Sequence, residues 1–216
     1  MDLGGGFVDQ IIFADLEAAY QEELDRQLLR GSGSSGELLG INAVSSINAV
    51  TYTDASPTVP ELYPKFADGI QQIHTNARRV PTLISMAPRR WGWITAALDS
   101  SNRPLVVPQA PMNAVAVFGE VAAQGIVGAI QGIPVITTGS HAINLGGGTN
   151  QDQIVEFRAP EMILMEAPIR ARILEEVLSG NLTVRLQLWS YANFFAGRLP
   201  GAISTVDGTG LVTPTF

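Results

Sequence analysis

The chain has 216 residues, no cysteine and a formal net charge of −7, with Lys65 as its single lysine. The absence of cysteine excludes a disulfide framework, and the acidic balance argues against a protein that grips DNA or RNA through a basic surface. Only 15% of the residues are charged, against about 25% in an average domain, so we expect much of the surface to contact other subunits.

The amino terminus carries no targeting signal. The start, Met1-Asp2-Leu3, lacks the features of a signal peptide, and no apolar run reaches transmembrane length. The sequence therefore predicts a cytoplasmic origin and no membrane partner.

The first thirty residues carry an apolar stripe at helical spacing. It contains no Pro or Gly between Phe7 and Arg30, which predicts one uninterrupted helix over that range. We expect an i,i+4 pair between Glu22 and Arg26, and a left-handed C-terminal cap at Gly31. The stripe consists of Val8, Ile12, Leu16, Leu24 and Leu28, joined by Ile11, Ala19 and Tyr20 on a neighbouring ridge.

The stretch "GSGSSGEL", residues 31–38, satisfies two nucleotide-binding patterns, G-x-G-x-x-G and G-x-x-x-x-G, through Gly31, Gly33 and Gly36. Both patterns need a strand that leads through the glycines into a helix N-terminus. Here the glycines follow a helix, whose C-terminus repels anions. Glu37 stands where a phosphate-binding loop needs Lys, and no strand gives Asp54 a dinucleotide-binding context. We interpret the stretch as a cap and loop in which Gly33 and Gly36 make a sharp turn.

The middle of the chain is punctuated by proline. Pro57, Pro60 and Pro64 argue against a helix interior, so the next helix is predicted over Asp68 to Arg79. A short buried strand is predicted at Leu83 to Met86. It is followed by a turn at Pro88 and by a helix from Trp91 to Leu98 that Asp99-Ser100-Ser101-Asn102 closes.

The second half of the chain predicts mainly sheet. Residues 115–139 alternate β-branched residues with glycines, and Pro134 falls early in a strand, where a missing N–H is tolerated. Two apolar runs flank Pro160, a helix is predicted over Ile169 to Leu178, and a strand over residues 182–191. Gly146-Gly147-Gly148 is predicted to be a loop. These elements do not alternate regularly, which favours the α+β class over a doubly wound parallel sheet.

The sequence contains no recognisable catalytic, cofactor-binding or metal-binding constellation. The two histidines, His74 and His141, have no partner at metal-ligand spacing, and no G-x-S-x-G element is present. The carboxylate pairs Glu22–Glu23 and Glu175–Glu176 are adjacent on predicted helices and face different directions. We therefore predict no cofactor, no metal and no enzymatic activity.

Four segments taken in order resemble the major capsid protein of tailed phages, with the Hong Kong 97-type fold. A long helix ends in a Gly-Ser-rich loop followed by Gly-Ile, over Leu29 to Ile41, and a Met-x-Pro-x-x-Trp segment follows, from Met86 to Trp91. "GIPVITT" (residues 132–138) and "LTVRLQLWSYANFFAGRLPGAIS" (residues 182–204) complete the set.

The resemblance implies a spine helix, a peripheral domain and an axial domain. Residues 1–40 would form the spine helix and glycine loop of the peripheral domain, 41–160 mainly the axial domain, and 161–216 the return through the peripheral domain with C-terminal strands. The implied function is a structural subunit of an icosahedral phage capsid, a shell of pentamers and hexamers that encloses double-stranded DNA. A scaffold, a maturation protease and a portal are the further partners it suggests. The implied location is the virion, after assembly in the host bacterial cytoplasm.

Two features depart from the family pattern. The chain starts almost at the spine helix, so the N-terminal arm and extended loop are expected to have been processed, truncated or cropped. The type member of the family cross-links itself through a Lys, an Asn and a catalytic Glu. Asn181 matches the Asn, but Lys65 is the only lysine and residues 182–206 contain no carboxylate. Covalent cross-linking is therefore not expected. An encapsulin-type nanocompartment shell remains the alternative from the same fold. A nucleotide-dependent enzyme built on residues 31–36 remains the alternative from another class.

Overall fold

The computed structural model describes residues 7–98, 126–174 and 185–215 of the chain. The helices are α1 (Phe7–Arg30), α2 (Val59–Ala77) and α3 (Pro88–Ala96). The strands are β1 (Asn48–Thr51), β2 (Leu83–Met86), β3 (Ile126–Ile130), β4 (Ile133–Thr137), β5 (Ile154–Phe157), β6 (Ile163–Glu166), β7 (Arg170–Leu174), β8 (Arg185–Trp189), β9 (Ala192–Phe195) and β10 (Ile203–Asp207).

The predicted uninterrupted helix over Phe7 to Arg30 is confirmed as α1. Its apolar stripe is covered unevenly, since Leu29 near the C-terminal end is buried while Ile11 is 53% exposed. Between these ends, Leu16, Tyr20, Leu24 and Leu28 are half-buried. The helix therefore joins the core through its last turns and extends a long, accessible surface away from it.

The predicted left-handed cap at Gly31 is wrong, because positive φ angles occur instead at Gly33 (+69°) and Gly36 (+88°). The Gly31 N–H still donates to the Gln27 carbonyl at 2.8 Å, in helical fashion. A Cβ at Gly31 would collide with the Leu38 carbonyl. Gly31 is thus needed for the close return of the loop, and the predicted sharp turn at Gly33 and Gly36 is confirmed.

We expect Gly36→Val to destabilise the chain by about 1–2 kcal/mol, because a β-branched residue disfavours the left-handed conformation. No atom lies within 4 Å of a Cβ built at Gly36, so the cost comes from the backbone conformation and not from a clash. Gly139→Val is the matched control, since that glycine also has open space around it but no positive φ. Urea unfolding of both variants measures the difference, and equal stabilities would contradict the conformational explanation.

The helix predicted over Asp68 to Arg79 begins nine residues too late, because α2 starts at Val59. The Thr58 N–H donates to the Glu61 carboxylate at 3.1 Å, which caps the helix start. Pro64 lies inside the helix. The carbonyl it leaves without a helical donor is that of Pro60, and both prolines are exposed, so water can satisfy that oxygen.

The strand predicted at Leu83 to Met86 is confirmed as β2. The predicted boundaries of the following helix differ from those of α3 in the structure. Pro88 is not in a separate turn but at the start of α3, where its fixed φ suits the first helical turn. The helix ends at Ala96 and not at Leu98, and the predicted closing residues 99–102 lie outside the described residues.

Six strands form the main sheet, in the order β1-β10-β5-β2-β4-β3. The pairs β1–β10 and β2–β4 are parallel, and the other three pairs are antiparallel. Pro134 is the second residue of β4, as predicted. The sheet predicted over residues 115–139 is confirmed from Ile126 onward, and its first part lies outside the described residues.

Apolar cores cover both faces of this sheet. On one face, α2 and α3 pack Leu62, Phe66 and Trp91 against strand residues such as Ile154 and Val206. On the other face, Leu29 of α1, Ile41 and Phe194 pack against Val155 and Ile203. Residues 154–157 are buried on both sides, so β5 is the centre of the fold.

Two ribbons of two antiparallel strands each, β6–β9 and β7–β8, form separate sheets. The helix predicted over Ile169 to Leu178 is therefore wrong where it is described, because residues 170–174 form β7. The segment Arg170-Ala-Arg-Ile173 alternates with a period of two, which suits a strand. Residues 175–178 lie outside the described residues. The fold is α+β, as predicted, while the division of the chain at residues 40 and 160 stays a prediction.

Candidate functional site

The two ribbons expose a set of apolar side chains, which we call together the ribbon surface. Seven of the fourteen large apolar side chains exposed in the described residues lie on or beside it. Met165 and Tyr191 are the most open, at 59% and 73% exposure. The other members of the ribbon surface are Ile163, Leu164, Ile169, Ile173 and Phe195. An apolar surface of this kind commonly marks a protein–protein contact.

Isolated two-stranded ribbons are only marginally stable in water. In β6–β9, Leu164 and Phe194 are cross-strand partners, and Phe194 is buried in the core. Ile163 and Met165 alternate with Leu164, so they belong to the opposite face of the ribbon together with Phe195. This second face is therefore exposed.

Glu161 lies two residues before β6, and its buried side chain faces three arginines. Arg198 donates to the Glu161 carboxylate. Arg79 and Arg158 lie 3.4 and 3.7 Å from it. The cluster joins the end of α2, the start of β6 and the segment after β9. Arg158 is three positions from Glu161, but Arg79 and Arg198 are far from it in sequence, so no local pattern indicated the full cluster.

A second buried charge cluster fixes the Met86 to Trp91 segment. Asp152, whose side chain is fully buried, lies 2.8 Å from Arg89 Nε and 3.0 Å from Arg90 Nε. Arg90 also donates to the Val212 carbonyl and lies over the Trp93 ring, with Cζ 4.9 Å from its centroid. The two arginines thus tie α3 to the chain around Asp152 and to the C-terminal segment.

In the glycine loop, residues 31–38, the carboxylate of Glu37 accepts hydrogen bonds from neighbouring residues. Glu37 accepts hydrogen bonds from the Ser32 N–H at 3.0 Å, the Ser32 hydroxyl at 2.8 Å and Arg26 at 2.7 Å. The hydrogen bonds from Arg26, and then those from Ser32, lower the pKa of Glu37 to about 2. The loop follows the C-terminus of α1, so it lacks the helix N-terminus that a phosphate site uses. The interpretation of these glycines as a loop that follows a helix is confirmed, while Gly31 is not the left-handed cap.

Arg26 forms its ion pairs with Glu23 and Glu37, so the predicted pairing of Arg26 with Glu22 is wrong. Glu22 and Glu23 are both exposed, and Glu23 pairs with Arg26. The pair Glu175–Glu176 and Asn181 lie outside the described residues.

The two histidines have different environments. His74 is exposed on α2, whereas His141 is buried and its Nε2 lies 2.7 Å from the Ser85 hydroxyl. Burial, with a smaller contribution from Arg30, lowers the pKa of His141 to about 4. The imidazole is therefore neutral at physiological pH, and the described residues place no carboxylate against its other nitrogen to orient it as a general base.

Glu156 is buried at the centre of the main sheet, a placement that the sequence did not predict. It lies between Ile84 and Ser204 in the strand register, and neither of its carboxyl oxygens has a hydrogen-bond partner. Gly69 of α2 packs directly onto it, and a Cβ at Gly69 would collide with the carboxyl group. Burial, reinforced by the charge of Asp68, raises the pKa of Glu156 to about 8.

Within the residues that the structure describes, no three His, Asp or Glu side chains gather in a way that could hold a metal ion. None of the helices found in those residues has the length and apolar character needed to cross a membrane. Lys65 lies on α2, half-buried.

No protein-family model and no curated protein matches the sequence. Solved structures, in contrast, share the fold at low sequence identity. A chain of Gordonia phage Cozz is 16% identical with a TM-score of 0.64, over 96% of this chain and 65% of that chain. The capsid of the empty GTA particle is 12% identical with a TM-score of 0.66, over 93% of this chain and 66% of that chain. The capsid of Myoviridae phage XM1 is 12% identical with a TM-score of 0.55, over 96% of this chain and 67% of that chain.

The chain spans slightly less than two thirds of the length of the first two of these structures. At such identities the similarity concerns the fold, and it extends over more than nine tenths of the chain. The chain therefore has the α+β fold of phage capsid proteins.

Proposed function

We propose that the chain is a structural subunit of a closed icosahedral shell, and that this shell is a phage capsid enclosing double-stranded DNA. The observation that carries the proposal is the capsid fold, which extends over more than nine tenths of the chain at TM-scores near 0.6. The ribbon surface supports it, because an apolar surface of this kind fits a protein that is buried against copies of itself.

The subunits would form five- and six-fold rings closed by repeated heterologous contacts. The chain would act without enzymatic turnover, and the proposed location is the virion after assembly in the host bacterial cytoplasm. A scaffold, a maturation protease and a portal are the proposed further partners. The proposed peripheral and axial domains would be divided near residues 40 and 160.

Expression of the complete gene product, alone and with its scaffold and protease, is expected to yield hollow particles of uniform diameter in electron microscopy. DNA-filled particles with a tail vertex, obtained during infection, would distinguish a phage capsid from a nanocompartment, which would contain protein cargo. A strictly monodisperse monomer under all these conditions would contradict the proposal.

A further inference from the structure

The β7–β8 ribbon has one apolar face and one basic face. Side chains alternate along each strand, and directly opposed residues share a face. Ala171, Ile173, Leu186 and Leu188 therefore lie on one side of the ribbon. The other side, which we call the basic face, carries Arg170, Arg172, Leu174, Arg185, Gln187 and Trp189.

The basic face is preorganised. Arg172 Nε donates to Gln187 Oε1 at 2.8 Å, and its guanidinium lies over the Trp189 ring with Cζ 5.1 Å from the centroid. Arg170, Arg172 and Arg185 are all exposed. The ion pairs formed among the described residues involve none of these three arginines. In a chain of net charge −7, three arginines on one small ribbon that form no ion pair with another described residue favour an anionic partner.

A matching acidic surface lies on α1. Asp15, Glu22 and Asp25 are exposed and fall within roughly 80° of one another at 3.6 residues per turn. We call them the acidic stripe. They too are absent from the ion pairs formed among the described residues. Ile11, 53% exposed, precedes them on the same side of the helix.

The acidic stripe lies on the side of α1 opposite to Tyr20. Tyr20 donates from its hydroxyl to Glu166 Oε1 at 2.7 Å, which places the Tyr20 side of α1 against the end of β6. Helix α1 also contacts β8 of its own chain. The acidic stripe lies roughly 140–220° around the helix from Tyr20 at 3.6 residues per turn, so it faces away from the contact with Glu166.

The two surfaces also agree in length. The acidic stripe runs about 15 Å from Asp15 to Asp25 at 1.5 Å per helical residue. The basic face runs about 13 Å from Arg170 to Leu174 at 3.3 Å per strand residue. Each carries an apolar side chain beside its charges, Ile11 on the helix and Trp189 on the ribbon. Charge, length and apolar content are thus complementary.

We infer that the basic face of one subunit docks on the acidic stripe of α1 in a second copy of this chain. The inference rests on the proposed function and names the surfaces through which the shell would close. The contact joins different surfaces of the two copies, so each subunit both gives and receives it, and it can propagate around a ring. A second copy is proposed as the partner because its acidic stripe complements the basic face in charge, length and apolar content.

Charge reversal tests the contact in the complete gene product. The triple variant R170E/R172E/R185E and the triple variant D15R/E22R/D25R are each expected to lower the particle yield at least about tenfold, through like-charge repulsion across the contact. Combining all six changes is expected to restore the yield. R78E, at an exposed arginine after α2, is the matched control and should assemble normally. Circular dichroism and thermal unfolding establish that each variant is folded.

A mixture of the two triple variants gives a readout that does not require shells. Each variant supplies the surface complementary to the altered surface of the other, so sedimentation is expected to detect association in the mixture but not in either variant alone. If wild-type chains form no particles, the proposed function fails, while association in this mixture still supports the docking inference.

Absence of association in the mixture would overturn the inference, as would wild-type particles together with normal assembly of R170E/R172E/R185E. Normal assembly of that variant with loss of nucleic acid from its particles would likewise overturn it and would assign the basic face to nucleic acid.

Discussion

Replacing Glu156 with Gln is expected to stabilise the protein at pH 7 by about 3–4 kcal/mol, with a larger gain at pH 8 and only about 1 kcal/mol near pH 5. The carboxyl group of Glu156 is fully buried between the sheet and α2, without a hydrogen-bond partner. An amide of the same shape stays neutral at every pH, so the variant avoids the cost of burying a group that is ionised in the unfolded chain.

The direction of the effect follows from the two pKa values of Glu156. Burial raises the native pKa to about 8, whereas the unfolded chain ionises near its ordinary value of about 4.3. The stability contributed by the neutral carboxyl is therefore complete below about pH 4. It falls by about 1.4 kcal/mol per pH unit until the native group also ionises near pH 8. Asp68 of α2 is the charged neighbour that reinforces the shift, and Ser204 of β10 faces the group without a charge.

Urea unfolding at pH 5, 6, 7 and 8 gives the free energy of unfolding as a function of pH, and its slope is compared between wild type and Glu156→Gln. Glu17→Gln, the same change at an exposed position on α1, is the control and should leave the wild-type slope unaltered. Parallel stability curves for wild type and Glu156→Gln would show that the carboxyl is solvated in the native state.

Elements that depend on local chemistry could be predicted from the sequence. The helix α1 needed only an unbroken run without Pro or Gly, and β2 needed only a short apolar run between breakers. The turn at Gly33 and Gly36 was likewise predicted from the permissive backbone of glycine.

Elements whose conformation depends on a distant partner were mispredicted. Pro64 within α2 is tolerated because the affected carbonyl is on the solvent side, which depends on how the helix sits on the sheet. The segment of β7 was predicted to be helical because its pairing with β8 involves residues more than ten positions away. Short apolar segments are ambiguous between helix and strand until such a partner is known.

The buried polar groups were the largest omission of the sequence analysis. Glu156, Glu161 and Asp152 look like ordinary surface carboxylates in the sequence, although all three are buried. Arg89 and Arg90 reach Asp152, and Arg79 and Arg198 reach Glu161, from other parts of the chain. Glu156 has no hydrogen-bond partner. The acidic stripe could have been found from the helical spacing of Asp15, Glu22 and Asp25. The basic face needed the register of β7 and β8, which no local pattern provides.

Replacing Asp152 with Asn is expected to destabilise the protein by about 3–5 kcal/mol, because one uncharged side chain would then face two arginines. Arg90 is only 1% exposed, and burial lowers its pKa despite the opposing effect of Asp152. Without the carboxylate, the guanidinium would remain buried with no counter-charge. For a chain of this length the loss corresponds to a melting temperature lower by roughly 6–20 °C. The same loss would loosen the attachment of α3 to the C-terminal segment.

Thermal and urea unfolding of Asp152→Asn test this expectation, with Glu23→Gln as the control. Glu23 forms an ion pair with Arg26 on the surface, with half of its side chain exposed, so its loss should cost at most about 1 kcal/mol. Arg90→Met in the Asp152→Asn background is expected to cost much less than the same change in wild type, because it also removes the uncompensated buried charge. Additive effects of the two changes, or a loss at Asp152 no larger than that at Glu23, would mean that the arginines are solvated and that other contacts hold α3 in place.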